Sequence, residues 1–66
     1  MNLENNVIKL FQKMETEIEK CIPDAEKFIE GNNSAGTRVR KYMQAVKEIA
    51  QEFRVEIQKQ KNSVTA

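Results

Sequence analysis

The chain has 66 residues, of which 32% are charged and 39% are apolar, with two glycines and one proline. This mixture is typical of a helical protein, and the length allows a single domain spanning residues 1–66. The sequence has no run of 18 apolar residues and no signal-peptide pattern at its start, so we expect a cytoplasmic protein with no membrane partner. It contains one cysteine and no histidine, which argues against an internal disulfide, a zinc site and histidine-based catalysis.

The first predicted element is a helix over about residues 3–30. Apolar residues recur at alternating spacings of four and three, which predicts one apolar seam along the helix. The seam residues are Val7, Phe11, Met14, Ile18, Cys21, Ala25 and Phe28. Because Cys21 belongs to this series, we interpret it as a small buried apolar residue, with a redox or intermolecular disulfide role as the alternative.

Pro23 is the one helix-breaking residue inside this element. A proline removes a backbone hydrogen bond and clashes with the preceding turn, at a cost of about 3 kcal/mol. The apolar spacing nevertheless keeps its phase across Pro23, and the heptad count places the proline on the solvent side. A kinked but continuous helix fits this phase, and a break followed by a short new helix is the alternative.

A turn is predicted at residues 31–33, followed by a second helix over about residues 34–61 and a frayed tail at 62–66. Gly31 fits the left-handed position just after a helix, and Asn33 or Ser34 fits the cap of the next helix. The second helix has its own predicted seam, flanked by Tyr42 and Ile49. The seam residues are Val39, Met43, Val46, Ala50, Phe53 and Ile57.

Two helices of similar length joined by a short turn predict an all-α fold, an antiparallel two-helix hairpin. Each helix of such a hairpin has a single neighbour, so much of a wide apolar stripe stays in contact with water. Ordering about 55 residues costs about 80 kcal/mol, which requires about 3,000 Å² of apolar burial. We therefore expect two hairpins to pair as a homodimer in a four-helix bundle.

The charges divide unevenly between the two halves. Residues 1–30 carry four lysines against seven acidic residues, and residues 31–66 carry seven basic residues against three glutamates. Four cations lie seven residues apart beside the second seam, at Arg40, Lys47, Arg54 and Lys61. Arg38 and Lys41 add charge near the helix N-terminus, where backbone N–H groups also favour phosphate. The predicted DNA-binding residues are Arg38, Arg40, Lys41, Lys47 and Arg54.

The same charges also allow a purely structural interpretation. Charges beside a helical seam normally form a solvated face that sets the register of partner helices. First-helix acids such as Glu15, Glu17 and Asp24 could pair with the cations across the hairpin or across a dimer. No base-reading motif or stacking aromatic platform is present, and no nucleophile–base pair or phosphate-binding glycine loop indicates an enzyme or a small-molecule substrate.

The stretch Asp24-Ala25-Glu26-Lys27, the run GNNSAGTRVRK at residues 31–41, and AQEFR at residues 50–54 resemble the helical region of bacterial linker-histone-like nucleoid proteins of the chlamydial type. The resemblance covers about residues 24–61. It implies a nucleoid protein that binds DNA with little sequence preference and helps compact it. The implied contacts are Arg38, Arg40, Lys41 and Arg54. Longer members carry a lysine- and alanine-rich tail that this sequence lacks, so we expect binding to rest on the helices.

The predicted function is that of a nucleoid-associated, histone-like protein without a cofactor. It is expected to contact the phosphate backbone of double-stranded DNA as a homodimer, with little sequence specificity. The alternative is a structural coiled-coil adaptor that binds the helix of a partner protein through the apolar seam. An amphipathic helix on a membrane surface is disfavoured by the alternating charges and the absence of tryptophan.

Overall fold

A computed structural model of the chain describes residues 5–64, with side chains described for residues 5–62. It contains two antiparallel α-helices, α1 (Asn6–Ile29) and α2 (Asn33–Val64). The predicted all-α hairpin is therefore confirmed, and it forms a rod with extents of 54 × 20 × 11 Å. No helix in this part of the chain is long and apolar enough to cross a membrane.

The observed ends of the helices differ from the predicted bounds. The expected start near residue 3 falls outside the described residues, and Asn5 caps α1 by accepting a hydrogen bond from the Val7 amide at 2.8 Å. The second helix continues beyond residue 61 to Val64. The segment expected to fray at 62–66 is therefore helical as far as residue 64, and residues 65 and 66 lie outside the described part.

The first helix passes through Pro23 without a break. Pro23 is exposed to solvent, as the heptad count predicts. The backbone carbonyl of Glu19 accepts no hydrogen bond from position 23, because proline carries no N–H. Because this side of the helix is exposed, water can donate a hydrogen bond to that carbonyl instead, which explains how the helix tolerates the proline.

The connection between the helices is a Schellman turn built on Gly31. Gly31 has a φ of +108°, which confirms the prediction that a glycine is needed here. Its amide donates to the carbonyl of Phe28 at 2.9 Å, and the Asn32 amide donates to the carbonyl of Lys27 at 3.0 Å. The side chain of Asn32 then accepts from the Ala35 amide at 3.1 Å. The N-terminal cap of α2 is therefore Asn32, one residue before the predicted candidates.

The contact between the helices uses a different row of α2 from the predicted one. Ile49 is only 3% exposed, whereas Met43 and Ile57 of the predicted seam are 43% and 42% exposed. Most of the buried and partly covered residues of α2 follow a spacing of four and three. They are Ala35, Val39, Tyr42, Val46, Ile49, Phe53, Glu56 and Gln60, and Gly36 and Ala45 beside this row are also partly covered. Every second residue of the predicted seam therefore faces outward. The assignment of Met43, Ala50 and Ile57 to the seam is wrong.

The first helix shows the same change of phase. Cys21 and Asp24 are buried, and Leu10 and Glu17 are partly covered. Phe11, Ile18 and Phe28, which belong to the predicted seam, are exposed by 51%, 41% and 51%. The burial of Cys21 agrees with its interpretation as a small core residue.

One side of the hairpin, called the polar face below, is closed by charged and amide side chains. Lys13 forms an ion pair with Glu52 at 3.3 Å, and Arg38 with Asp24 at 2.9 Å. The Asn6 amide donates to Glu56 at 3.4 Å on the same side. These bonds join the two helices in the observed register, in which Cys21 and Ile49 point inward.

The opposite side, called the apolar face below, remains open. The rings of Phe11 and Phe53 meet there with centroids 4.4 Å apart. Residues seven positions apart lie on the same side of a helix. The contact between Phe11 and Phe53 therefore places the row of Phe11 and Ile18 on the same side of the hairpin as the outward row of α2. The apolar face consists of Phe11, Ile18, Ile22, Met43, Ala50 and Ile57, all exposed.

Candidate nucleic-acid interface

Three cations follow the outer edge of the apolar face on α2. Arg40, Lys47 and Arg54 are exposed and lie seven residues apart, and they are called the basic stripe below. The helical rise places Arg40 about 21 Å from Arg54 along the axis. Among the described residues, none of the three forms an ion pair or a side-chain hydrogen bond. The basic stripe therefore presents three uncompensated cations in a row.

Two residues of the basic stripe, Lys47 and Arg54, line a shallow depression on α2. The other residues that line it include Gln44, Ala50 and Gln51. The amides offer hydrogen-bond donors beside the two cations. Glu48 also lines the depression and reduces its positive charge.

Arg38 is placed differently from the stripe. Its Nε donates to Oδ1 of Asp24 at 2.9 Å across the hairpin. Asp24 is only 9% exposed, so the pair is shielded from water on the carboxylate side. The Arg38 side chain is still 45% exposed. The possibility of pairing with a first-helix acid is thus realised for this one arginine.

The structure does not bring together Arg38, Arg40 and Lys41, the three predicted DNA-binding residues near the start of α2. Arg38 and Lys41 border one depression with Tyr42, and Arg40 borders another with Val39. Residues two positions apart on an α-helix point about 200° apart, so Arg38 and Arg40 face opposite sides of α2. A single anion cannot contact both.

A second row of cations, which sequence reasoning missed, lies on the polar side of α1. Lys13, Lys20 and Lys27 are exposed and also seven residues apart. Lys13 pairs with Glu52, and Lys20 pairs with Glu17 at 3.7 Å. Two of the three charges are compensated by carboxylates, so this row is a weaker anion site than the basic stripe. Its heptad spacing was the signal available in the sequence.

The chain was also compared with known proteins. The sequence model of the family described as histone H1-like protein Hc1 matches residues 8–63. The chain belongs to the histone H1-like protein Hc1 family. No curated protein and no solved structure matches it significantly.

Membership of the Hc1 family confirms the resemblance found in the sequence, and its matched region covers the turn and nearly all of both helices. The family consists of histone-like nucleoid proteins that bind DNA, and it is not a family of enzymes. It also implies a nucleoid location in the cytoplasm. The basic stripe, Arg38 and Lys41 all lie within the matched region.

Proposed function

We propose that the hairpin binds the phosphate backbone of double-stranded DNA through the basic stripe, with little sequence specificity. The observation that carries this proposal is the row of exposed cations at Arg40, Lys47 and Arg54, without a carboxylate partner among the described residues. Uncompensated cations displace the counterions of DNA, which supplies a sequence-independent binding free energy. Little sequence discrimination is expected, because phosphate contacts carry no base information.

The dimensions of the basic stripe suit a single side of a duplex. Its span of about 21 Å is shorter than one DNA turn of about 34 Å. A straight helix of this length can therefore follow the duplex surface before the backbone curves away from it. Arg38 and Lys41 contribute less in this proposal, because they lie on the other side of α2 and Arg38 is held by Asp24.

A salt titration with two charge-matched variants tests the proposal. In the first, Arg40, Lys47 and Arg54 are each replaced by Gln. In the second, Lys13→Gln, Lys20→Gln and Lys27→Gln remove the same charge at the same spacing from the other row. Fluorescence anisotropy with a random-sequence duplex gives the dissociation constant at several salt concentrations.

If three phosphates are contacted per chain, the wild type should show a log–log slope of about −2.7. The stripe variant should lose nearly all of that slope, whereas the lysine variant should retain most of it. Equal losses in the two variants would show that only net charge matters, and the assignment to the basic stripe would be rejected. Circular dichroism checks that both variants remain helical.

A further inference from the structure

We propose that the apolar face is the interface with a second copy of this chain, arranged so that the two hairpin turns lie at the same end of a four-helix bundle. The proposal goes beyond DNA contact, because it assigns a partner and an orientation to the apolar face, of which only the edge on α2 belongs to the basic stripe. It also concerns a different row of residues from the seam that joins the helices within one chain.

The shape of the single hairpin indicates that it is incomplete. Its radius of gyration is 15.6 Å, whereas a compact chain of 66 residues has about 11 Å. Its accessible surface is 5331 Å², and a compact monomer of 7.7 kDa exposes about 4,300 Å². The excess of about 1,000 Å² is close to the area of about 800 Å² that each partner covers in a standard interface.

The exposed apolar residues are concentrated where a second copy can cover them. Phe11, Ile18, Ile22, Met43 and Ile57 share the apolar face, with the small residue Ala50 between the last two. Phe11 and Ile18 lie seven residues apart, as do Met43, Ala50 and Ile57, so each helix contributes a second row with the heptad period. An isologous four-helix bundle forms when such a face packs against its own copy.

Charges at the two edges of this face select the orientation. The edge on α1 carries exposed acids at Glu15, Glu19 and Glu26, and the edge on α2 carries the basic stripe. A two-fold axis parallel to the helices places α1 of each chain against α2 of the other, which brings the opposite charges together. A perpendicular axis in the interface places α1 on α1, which brings like charges together. Electrostatic complementarity therefore favours the parallel axis.

The register of the hairpin then predicts which residues meet. Opposed residues within one chain have numbers that sum to between 62 and 65, as shown by the pairs Asn5–Gln60, Lys13–Glu52 and Asp24–Arg38. Rotation about an axis parallel to the helices preserves height, so the same sums apply between chains. Ile22 of one copy should lie opposite Met43 of the other.

Sedimentation equilibrium of the 66-residue chain and two variants tests the interface. Ile18→Glu adds a charge to the apolar face, and Val55→Glu makes the same change at a position that is 57% exposed on the other side of α2. The wild type and Val55→Glu should have twice the 7.7 kDa mass of one chain. Ile18→Glu should weaken dimerisation by at least about tenfold, because it buries a charge twice per dimer.

A wild-type chain that remains monomeric at all concentrations would overturn the proposal and would leave a helix of another protein as the occupant of the apolar face. Equal loss of dimer in both variants would also overturn it. Because a dissociated Ile18→Glu chain can lose helicity, a second experiment tests the interface in folded protein.

Disulfide trapping in a Cys21→Ala background tests the orientation. Ile22→Cys and Met43→Cys are made in separate chains, mixed and oxidised. A covalent dimer that forms only in the mixture supports the parallel axis. A covalent dimer from Ile22→Cys alone shows that α1 packs on α1, and the absence of any covalent dimer rejects the contact. DNA binding is measured separately, so its loss does not affect either result.

Discussion

Replacement of Pro23 by alanine should raise the stability of the hairpin markedly. Pro23 is exposed and lies inside a helix that continues on both sides of it. Proline costs about 3 kcal/mol relative to alanine inside a helix. Alanine restores a donor for the Glu19 carbonyl, worth about 1 kcal/mol net, and removes the ring clash with the preceding turn. Because water already satisfies part of that carbonyl, we expect a gain of about 2 kcal/mol in the free energy of unfolding.

The corresponding change in melting temperature follows from the size of the chain. An unfolding entropy of about 2.1 cal/mol/K per residue gives about 140 cal/mol/K for 66 residues, so 2 kcal/mol raises Tm by about 14 °C. The assay is thermal unfolding followed by circular dichroism at one fixed protein concentration, because the proposed dimer would make Tm concentration-dependent. Gln12→Ala is the control, since Gln12 is exposed on the same helix and has nearly the same helix propensity as alanine. An unchanged or lowered Tm for Pro23→Ala would refute the reasoning.

Three further outcomes are expected. Asp24→Ala should lower the free energy of unfolding by about 1–2 kcal/mol, because it removes the partner of Arg38, and it should leave the salt slope of DNA binding through the basic stripe unchanged; unchanged stability would contradict this. Gly31→Ala should cost about 1–2 kcal/mol in urea unfolding, because φ is +108°; unchanged stability would exclude strain at the turn. The Gln60 amide lowers the pKa of Glu56 below its ordinary 4.5. The stabilisation is therefore present above pH 4.5 and lost below it, and Glu56→Gln should flatten this part of the pH–stability profile.

The sequence was sufficient for the two helices and for the turn, because local chemistry determines both. Gly31 is the only residue near the turn that adopts a positive φ without strain, and a heptad repeat on each side of it predicts helices that pack. The sequence was not sufficient for the phase of the seam. Ile49 and Ala50 belong to neighbouring rows that are both apolar, so periodicity alone does not select one of them.

Interactions between distant residues make that selection. The bond from Arg38 to Asp24 joins residues 14 positions apart, and it forms in the arrangement that has Tyr42 and Ile49 inward. Spacing within either helix leaves open which first-helix acid pairs with which cation. The separation of Arg38 from Arg40 is different, because about 100° of rotation per residue already predicts it. The clustering of three cations in the linear sequence concealed that simple consequence of helix geometry.

The apolar face and the basic stripe share an edge, which couples the two proposals. In the proposed dimer, the stripe of one copy lies beside Glu15, Glu19 and Glu26 of the other, so DNA phosphates and these carboxylates compete for the same cations. If DNA binds the stripe of the monomer more tightly than the stripe of the dimer, linkage requires that bound DNA weakens dimerisation by the ratio of the two affinities. Salt weakens phosphate contacts steeply but leaves apolar burial largely unaffected. Rising salt should therefore shift the chain from DNA-bound hairpins towards free dimers, because the apolar contact persists after the electrostatic one is screened.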